Sequence, residues 1–539
     1  MKKISYILCG LLLLLIASSS CKKNLLDSTP LNQYSSADTW KDSTLVNLYV
    51  SNIYSGMPSE YDSITGSDML GNYTDEATDN RTALAASYAY DQNQDNSTNA
   101  PFNKLWTNYY AQIRNCNVFL DNIGALNASA GLKTRLTGEV RFLRALYYHY
   151  VHNYFGAFPI ISKTLSATDN LFIPRGTDAD CINFITSELN AAAALLPVKY
   201  TGANMGRATK GAALALMCRT YLYAGQWQNA ADAATAVMNL NTYSLFPDYG
   251  GIFYPTNEYN SEVILDKEYV ALVASNQSSQ VDYATIPGYF TGRATAASNP
   301  NGALVDAYEM TDGTTFSWSN PAQAANPWAN RDPRLEASII HDGSVLLGQT
   351  INMFVGSPYN NPTLRASLTG YDMRKFVDPN YNPNQTTNQS GQNFIIIRYA
   401  EVLLNYAEAE FNLGNTTEAL KYVNMIRARP SVNMPAITAA NFTMAKLQHE
   451  RYIELAFEGL RLWDINRWKT GPQARGASSI TGITINGTLS GPISSHTYTP
   501  VAVNTGRVFV DPQMYLFPIP YAEIIKYPAS APLVQNPGW

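Results

Sequence analysis

A chain of 539 residues with 46% hydrophobic and 15% charged side chains can bury a large core, and this excludes the low-hydropathy disordered class. A formal net charge of -5 offers no polycationic surface for phosphate, so nucleic acid is not an expected partner. Tyrosine is abundant at 36 copies, and with 8 Trp it supplies many flat amphipathic rings. Most of these should pack helices, leaving a minority to stack on a ligand.

At the N-terminus Lys2 and Lys3 precede the apolar run ISYILCGLLLLLIA, then SSS and Cys21. This is the pattern of a signal peptide over residues 1–20, too short for a comfortable membrane span. A cysteine directly after such a run matches a bacterial lipobox, with Cys21 lipidated as the first mature residue; the alternative is ordinary secretion with Cys21 as a spare thiol. Residues 21–40 read as a polar tether. Cys9 leaves with the signal peptide, so the body keeps Cys116, Cys181 and Cys218, too few for a disulfide framework. Cys116 and Cys218 sit in apolar helical patterns and are expected as buried, inert thiols.

Helical periodicity follows in WTNYYAQIRNCNVFLDNI and LTGEVRFLRALYYHYVHNYFG, where Trp106, Tyr110, Ile113, Val140, Leu143 and Tyr147 recur at helical spacing. An internal repeat is visible when Gly225 of CRTYLYAGQWQNAADAATAV is aligned with Gly414 of AEAEFNLGNTTEALKYVNMI. Cys218 then falls on Ala407, Ala230 on Ala419 and Ala234 on Val423. Each copy reads as a helix, a glycine turn and a second helix, a tetratricopeptide-like hairpin that stacks because one unit cannot bury its own apolar face. Helix pairs near 132–196 add further units. From 241 to about 394 the texture changes to Gly, Pro, Asn, Ser and aromatics, a loop-rich region, and 481–510 reads as a short β hairpin. The expected fold class is mainly α: a helical-repeat scaffold with long irregular loops and minor β hairpins. A single domain over 41–539 is expected, with scaffold at about 41–240 and 395–470.

The stretch HERYIELAFEGLRLWDINRW, 449–468, concentrates charge in a chain otherwise poor in it. On a continuous helix its charges fall into one wedge and the rest is apolar, which predicts a buried strut with Arg451–Glu454 and Glu458–Arg461 pairs. Gly459 is the point at which that helix would end early. Trp106, Trp463 and Trp468 are assigned to the core.

Six segments in the same order carry a family resemblance: the Cys21 lipobox with LLD after it, GEVRFLRALYYHYVHNYFGAFPI, RDPRL, IIIRYAEVLLNYAEAEFNLGNTTEALKYVNMIRAR, ERYIELAFEGLRLWDINRW and LFPIPYAEIIKYPASAPLVQNPGW. The chain resembles the SusD/RagB outer-membrane lipoproteins of Bacteroidetes, nearly end to end. The resemblance implies a lipid-anchored, surface-exposed protein that binds oligosaccharide or another nutrient. It also implies a tetratricopeptide-like scaffold and a partner, a SusC-like TonB-dependent transporter. Lys22, Lys23 and Asn24 stand where many relatives carry acidic residues.

A glycan binder needs aromatic platforms flanked by Asp, Asn or Arg, and neither nucleophile nor metal. Two loops have that composition and are favoured by the resemblance. From 71–99 the expected ligand residues are Tyr73, Asp75, Arg81 and Asn99, and from 286–330 they are Tyr289, Trp318 and Trp328. No catalytic residue, metal or cofactor is expected, although Asp75, Glu76, Asp79, Asp91 and Asp95 supply oxygens that a structural calcium ion could use. Two other classes remain: a secreted glycoside hydrolase using Asp75 with Glu76 or Glu454 with Glu458, and a scaffold that binds a protein or peptide.

Overall fold

The computed structural model describes residues 39–539 apart from 60–68, 81–85, 94–95, 99–102, 272–277, 280, 282–284, 365, 383–389, 489–491 and 504. The signal peptide, Cys21, Arg81, Asp95 and Asn99 therefore lie outside the described residues.

The scaffold is built from helices α1 Ser43–Ser55, α2 Asn103–Asn122, α3 Ala130–Phe155, α4 Asp178–Leu195, α5 Lys210–Tyr223, α6 Trp227–Met238, α7 Tyr399–Asn412, α8 Thr416–Arg427, α9 Met444–Glu454 and α10 Arg461–Trp468. Local chemistry explains several starts. Ser129 and Thr209 accept N-terminal amides of α3 and α5, and Thr177 and Asp180 form a reciprocal capping box on α4. Sequential helices pack on one another, α3 on α4, α4 on α5, α5 on α6 and α7 on α8, and α7 also lies against α6 although 241–394 separates them in sequence.

The repeat expected from the sequence is present. Gly225 between α5 and α6 has φ +67°, and Gly414 between α7 and α8 has φ +89°. Both take the left-handed conformation that glycine adopts without steric cost. Ala230, Ala234, Ala407 and Ala419 are fully buried at the helix seams, where their small side chains let the backbones approach. A buried ion pair fastens one repeat to the other, with Arg219 Nε of α5 2.7 Å from Glu401 Oε1 of α7. Cys116, Cys181 and Cys218 are buried free thiols, and burial pushes Cys181 up to about 11 and Cys218 to about 12. None of the three is a thiolate near neutral pH.

The strands are short: β1 Ala77–Asp79, β2 Val263–Lys267, β3 Ser298–Pro300, β4 Phe394–Arg398, β5 Thr481–Asn486 and β6 Thr497–Ala502. β2 and β4 pair antiparallel from Val263↔Arg398 to Lys267↔Phe394, so the loop-rich excursion leaves the scaffold and returns side by side. β1 pairs with β3, tying the 71–80 segment to that excursion. β5 and β6 form the expected hairpin, with Ile485 opposite Tyr498.

The charged stretch departs from a continuous helix. α9 stops at Glu454, Phe457 and Gly459 take φ +67° and +73°, and α10 restarts at Arg461. The local pairs Arg451–Glu454 and Glu458–Arg461 are not the ones formed. Arg451 instead lies 2.7 Å from Asp464, Arg461 2.7 Å from Asp75, and Glu458 2.6 Å from both Arg398 and Lys375. The reason is burial, since a carboxylate out of water needs several donors at once and one neighbour on the same helix cannot supply them. The strut role is retained through long-range ties. Trp106 and Trp463 are core residues as expected, each 4% exposed. Trp468 differs, being half-buried with its indole N–H donated to Glu408 at 2.9 Å.

Candidate binding face

Trp318 and Trp328 sit on one loop whose base is closed by antiparallel bridging of Met310 with Arg331 and by the Thr311 amide on the Asn330 carbonyl at 2.8 Å. Arg331 is buried under this loop. Its guanidinium lies 4.0 Å from the centre of the Phe316 ring and donates to the carbonyls of Val305, Tyr308 and Pro327. Phe316 meets Trp318 edge to face at 5.1 Å. The half-buried Trp318 indole donates to both carboxylate oxygens of Asp306, at 3.1 and 3.0 Å, which fixes the ring plane. Burial raises the Asp306 carboxyl above its ordinary value while the indole N–H and Arg331 pull it down.

Trp328 is held more closely. It stacks on His341 at 4.5 Å with planes 18° apart, and Tyr371 and Tyr498 approach at 5.7 Å, each nearly perpendicular. Tyr498 belongs to β6, and its hydroxyl donates to Asp342, which also receives His496 at 2.7 Å. Tyr289 is the most open of the described candidates at 36% exposed, on a single helical turn Gly288–Thr291, with its ring 4.0 Å from Tyr359. Tyr359 is carried by the segment that Phe354 and Val355 dock on the hairpin, through His496 at 5.4 Å and the Ile485 carbonyl at 3.2 Å. The hairpin thus backs Trp328 through Tyr498 and the Tyr289–Tyr359 pair through Phe354.

The loop at 71–80 does something else. Tyr73 is fully buried against Tyr90 at 5.7 Å, so the expectation that it touches ligand is corrected: its ring is part of the core. Asp75 commits both oxygens to Arg461, each at 2.7 Å, a bidentate tie that fastens the loop to α10. Glu76 accepts the amide of Phe457 at 3.1 Å. Asp91 holds Arg507 at 2.6 Å, and Asp79 lies 3.4 Å from the Asn72 amide. Among the described residues, Asp75, Glu76, Asp79 and Asp91 thus turn to separate protein partners.

The carboxylate pairs considered for hydrolysis are also engaged. Burial alone would raise Glu454, but Arg429, Arg398 and Arg334 hold it well below the usual carboxylate range, and Glu458 is lowered by Arg398 and Lys375 in the same way. Glu454 and Glu458 are both buried, and of the other pair Asp75 lines a cavity of about 330 Å³ while Glu76 is buried. Asp306 and Tyr359 were missed in sequence. Tyr359 has a signal in GSPYNNP, a turn-rich setting that exposes an aromatic, whereas Asp306 in ALVDAYEM has none.

A helical-repeat scaffold that carries an aromatic loop face defines a binding protein of mixed helix and loop architecture. The chain belongs to the SusD family, whose family model matches residues 261–539; a second model, described as starch-binding associating with outer membrane, matches 25–222. Among solved structures it is similar to a SusD-like protein from Bacteroides fragilis at 30% identity and TM-score 0.82, over 95% of this chain and 100% of that one. It is also similar to a SusD-like carbohydrate binding protein from the same species at 29% identity and TM-score 0.79, over 90% and 98%. A curated relative, SusD-like protein P25 of Formosa agariphila, is 26% identical over 67% of this chain and 69% of its own length. Among the described residues no helix is long and apolar enough to cross a membrane.

Proposed function

We propose that this protein is a non-catalytic glycan-binding lipoprotein of the outer membrane, anchored through Cys21, that captures oligosaccharide on the loop face and passes it to a SusC-like TonB-dependent transporter. The observation that carries the reading is the set of accessible rings held in place on the loops: Tyr289 packed against Tyr359 with the planes 41° apart, and Trp318 held by Asp306. A pyranose buries its apolar face on such rings and places its hydroxyls against flanking acceptors. The name of the starch-binding family model and that of the similar carbohydrate binding protein support the ligand class. Family membership supports the outer-membrane setting and the transporter.

Electrophoresis through gels containing single polysaccharides tests the proposal. At least one glycan should retard the protein without releasing reducing ends. Tyr289→Ala with Trp318→Ala should weaken binding about tenfold or more, as losing about 1.5 kcal/mol of ring contact implies, with the melting temperature nearly unchanged. Release of reducing ends would overturn the non-catalytic reading, and no retardation in a broad glycan panel would overturn glycan binding.

A further inference from the structure

Away from the aromatic loop face, two cavities adjoin where the 199–209 segment meets β2. One has a volume of about 380 Å³ with Tyr54, Tyr269, Glu258 and Glu268 in its wall, and the other about 140 Å³ with Tyr200 and Tyr243. They share Met205, Gly206, Arg207 and Tyr259, so they form one groove with Tyr259 at its middle. Tyr259 is 42% exposed and takes φ +57°, a conformation a bulky side chain adopts only when its surroundings hold it there. Its hydroxyl donates to Glu268. Gly206, at φ +79°, makes room for that carboxylate: a Cβ there would clash with Glu268 Oε1. The groove is therefore built around an accessible ring whose plane is fixed by an acid, as Trp318 is fixed by Asp306.

Charge selects the ligand class. Lys199, Arg207 and Lys267 line the two cavities together with Glu258 and Glu268, and Arg207 is further matched by Glu139 at 2.8 Å behind the wall. An anionic or cationic ligand would leave one set of these groups uncompensated, whereas hydroxyls can accept from the cations and donate to the carboxylates.

We propose that this groove is a second binding site for a neutral polyhydroxylated chain, an oligosaccharide segment laid across Tyr259. The inference rests on the glycan-binding reading. It adds a contact point for polysaccharides long enough to reach from the loop face, where two weak sites on one molecule raise retention beyond either alone.

The test uses a polysaccharide that retards the wild-type protein, together with calorimetric titration of its oligosaccharide. Tyr259→Gly removes the ring while suiting the left-handed backbone, and Glu268→Gln removes the acid. Two sites per wild-type molecule are expected, and one in Tyr259→Gly, with retention reduced about fivefold; the Tyr289→Ala/Trp318→Ala protein should keep the groove site. Glu268→Gln should weaken the same site, so a folding defect in one variant does not decide the outcome. Unchanged stoichiometry and retention in both groove variants would overturn the groove and leave the loop face standing. Failure of every glycan to retard the wild-type protein would overturn the glycan reading and the groove with it.

Discussion

Glu76 shows how a residue that looks catalytic in sequence can be structural in the fold. It is buried beneath the turn that separates α9 from α10, where one oxygen accepts the Phe457 amide and the other has no hydrogen-bond donor among the described residues. Burial raises its pKa from 4.5 to about 8, against the smaller downward pull of the Phe457 amide and Arg461. Folded chains therefore keep a proton that unfolded chains release between these values. The stabilisation linked to this group is complete below about pH 4.5 and is lost as pH rises through about 8. Its ceiling is on the order of 5 kcal/mol. Asp266 and Asp372, both raised to about 7 by burial, act in the same direction, so the informative quantity is the difference between variant and wild type. Denaturant midpoints at pH 5.5 and pH 8 should fall steeply in the wild type and less steeply in Glu76→Gln, which keeps the acceptor and stays neutral. Equal slopes in the two proteins would remove Glu76 from the account.

At the scale of elements, the two glycine turns of the repeat permit a clean substitution. At Gly414 an added Cβ meets nothing within 4 Å, and at Gly225 only Trp227 at 3.7 Å, so alanine there introduces backbone strain with no clash. Each of Gly225→Ala and Gly414→Ala should cost roughly 1–2 kcal/mol, read as a lower urea midpoint with unchanged helical circular dichroism and unchanged glycan retention. A midpoint equal to wild type would mean that the turn relaxes out of the left-handed region. These hairpins were legible in sequence because their information is local: a 3.6-residue apolar period, small residues at the seam and a glycine at the turn. The break after Glu454 was foreshadowed only by Gly459, because the left-handed Phe457 is held by Glu76 from the far end of the chain. The loop face was legible as composition and not as geometry. Tyr73 and Tyr289 lie in similar Gly and Thr settings, and contacts outside those settings separate them: Tyr73 is enclosed against Tyr90, whereas Tyr289 packs on Tyr359 and stays 36% exposed.

Across the whole molecule, one buried ionic network joins scaffold to loop excursion. Arg398, at the end of β4, lies 2.7 Å from Glu262, 2.8 Å from Glu454 and 2.6 Å from Glu458. Arg429 reaches Glu262 and Glu454 at 2.6 and 2.7 Å, and Arg334 of the excursion reaches Glu450 and Glu454 at 2.5 and 3.0 Å. Such a network adds little net stability over an apolar core, but losing one member strands the others, at about 3–5 kcal/mol. It lies between β2, β4, α9 and the excursion, so the loop face should not open while the scaffold stays folded. Far-ultraviolet circular dichroism reports the helices, and the near-ultraviolet difference between a protein and its Trp318→Phe form isolates the face, since Trp106 and Trp463 of the scaffold contribute to the whole signal. In the wild type the two thermal transitions should coincide, and in Arg398→Met both should move to lower temperature together, since Glu262, Glu454 and Glu458 each lose a donor. If the near-ultraviolet signal of Arg398→Met melts first while the helices hold, the network braces the face alone and does not couple it to the scaffold.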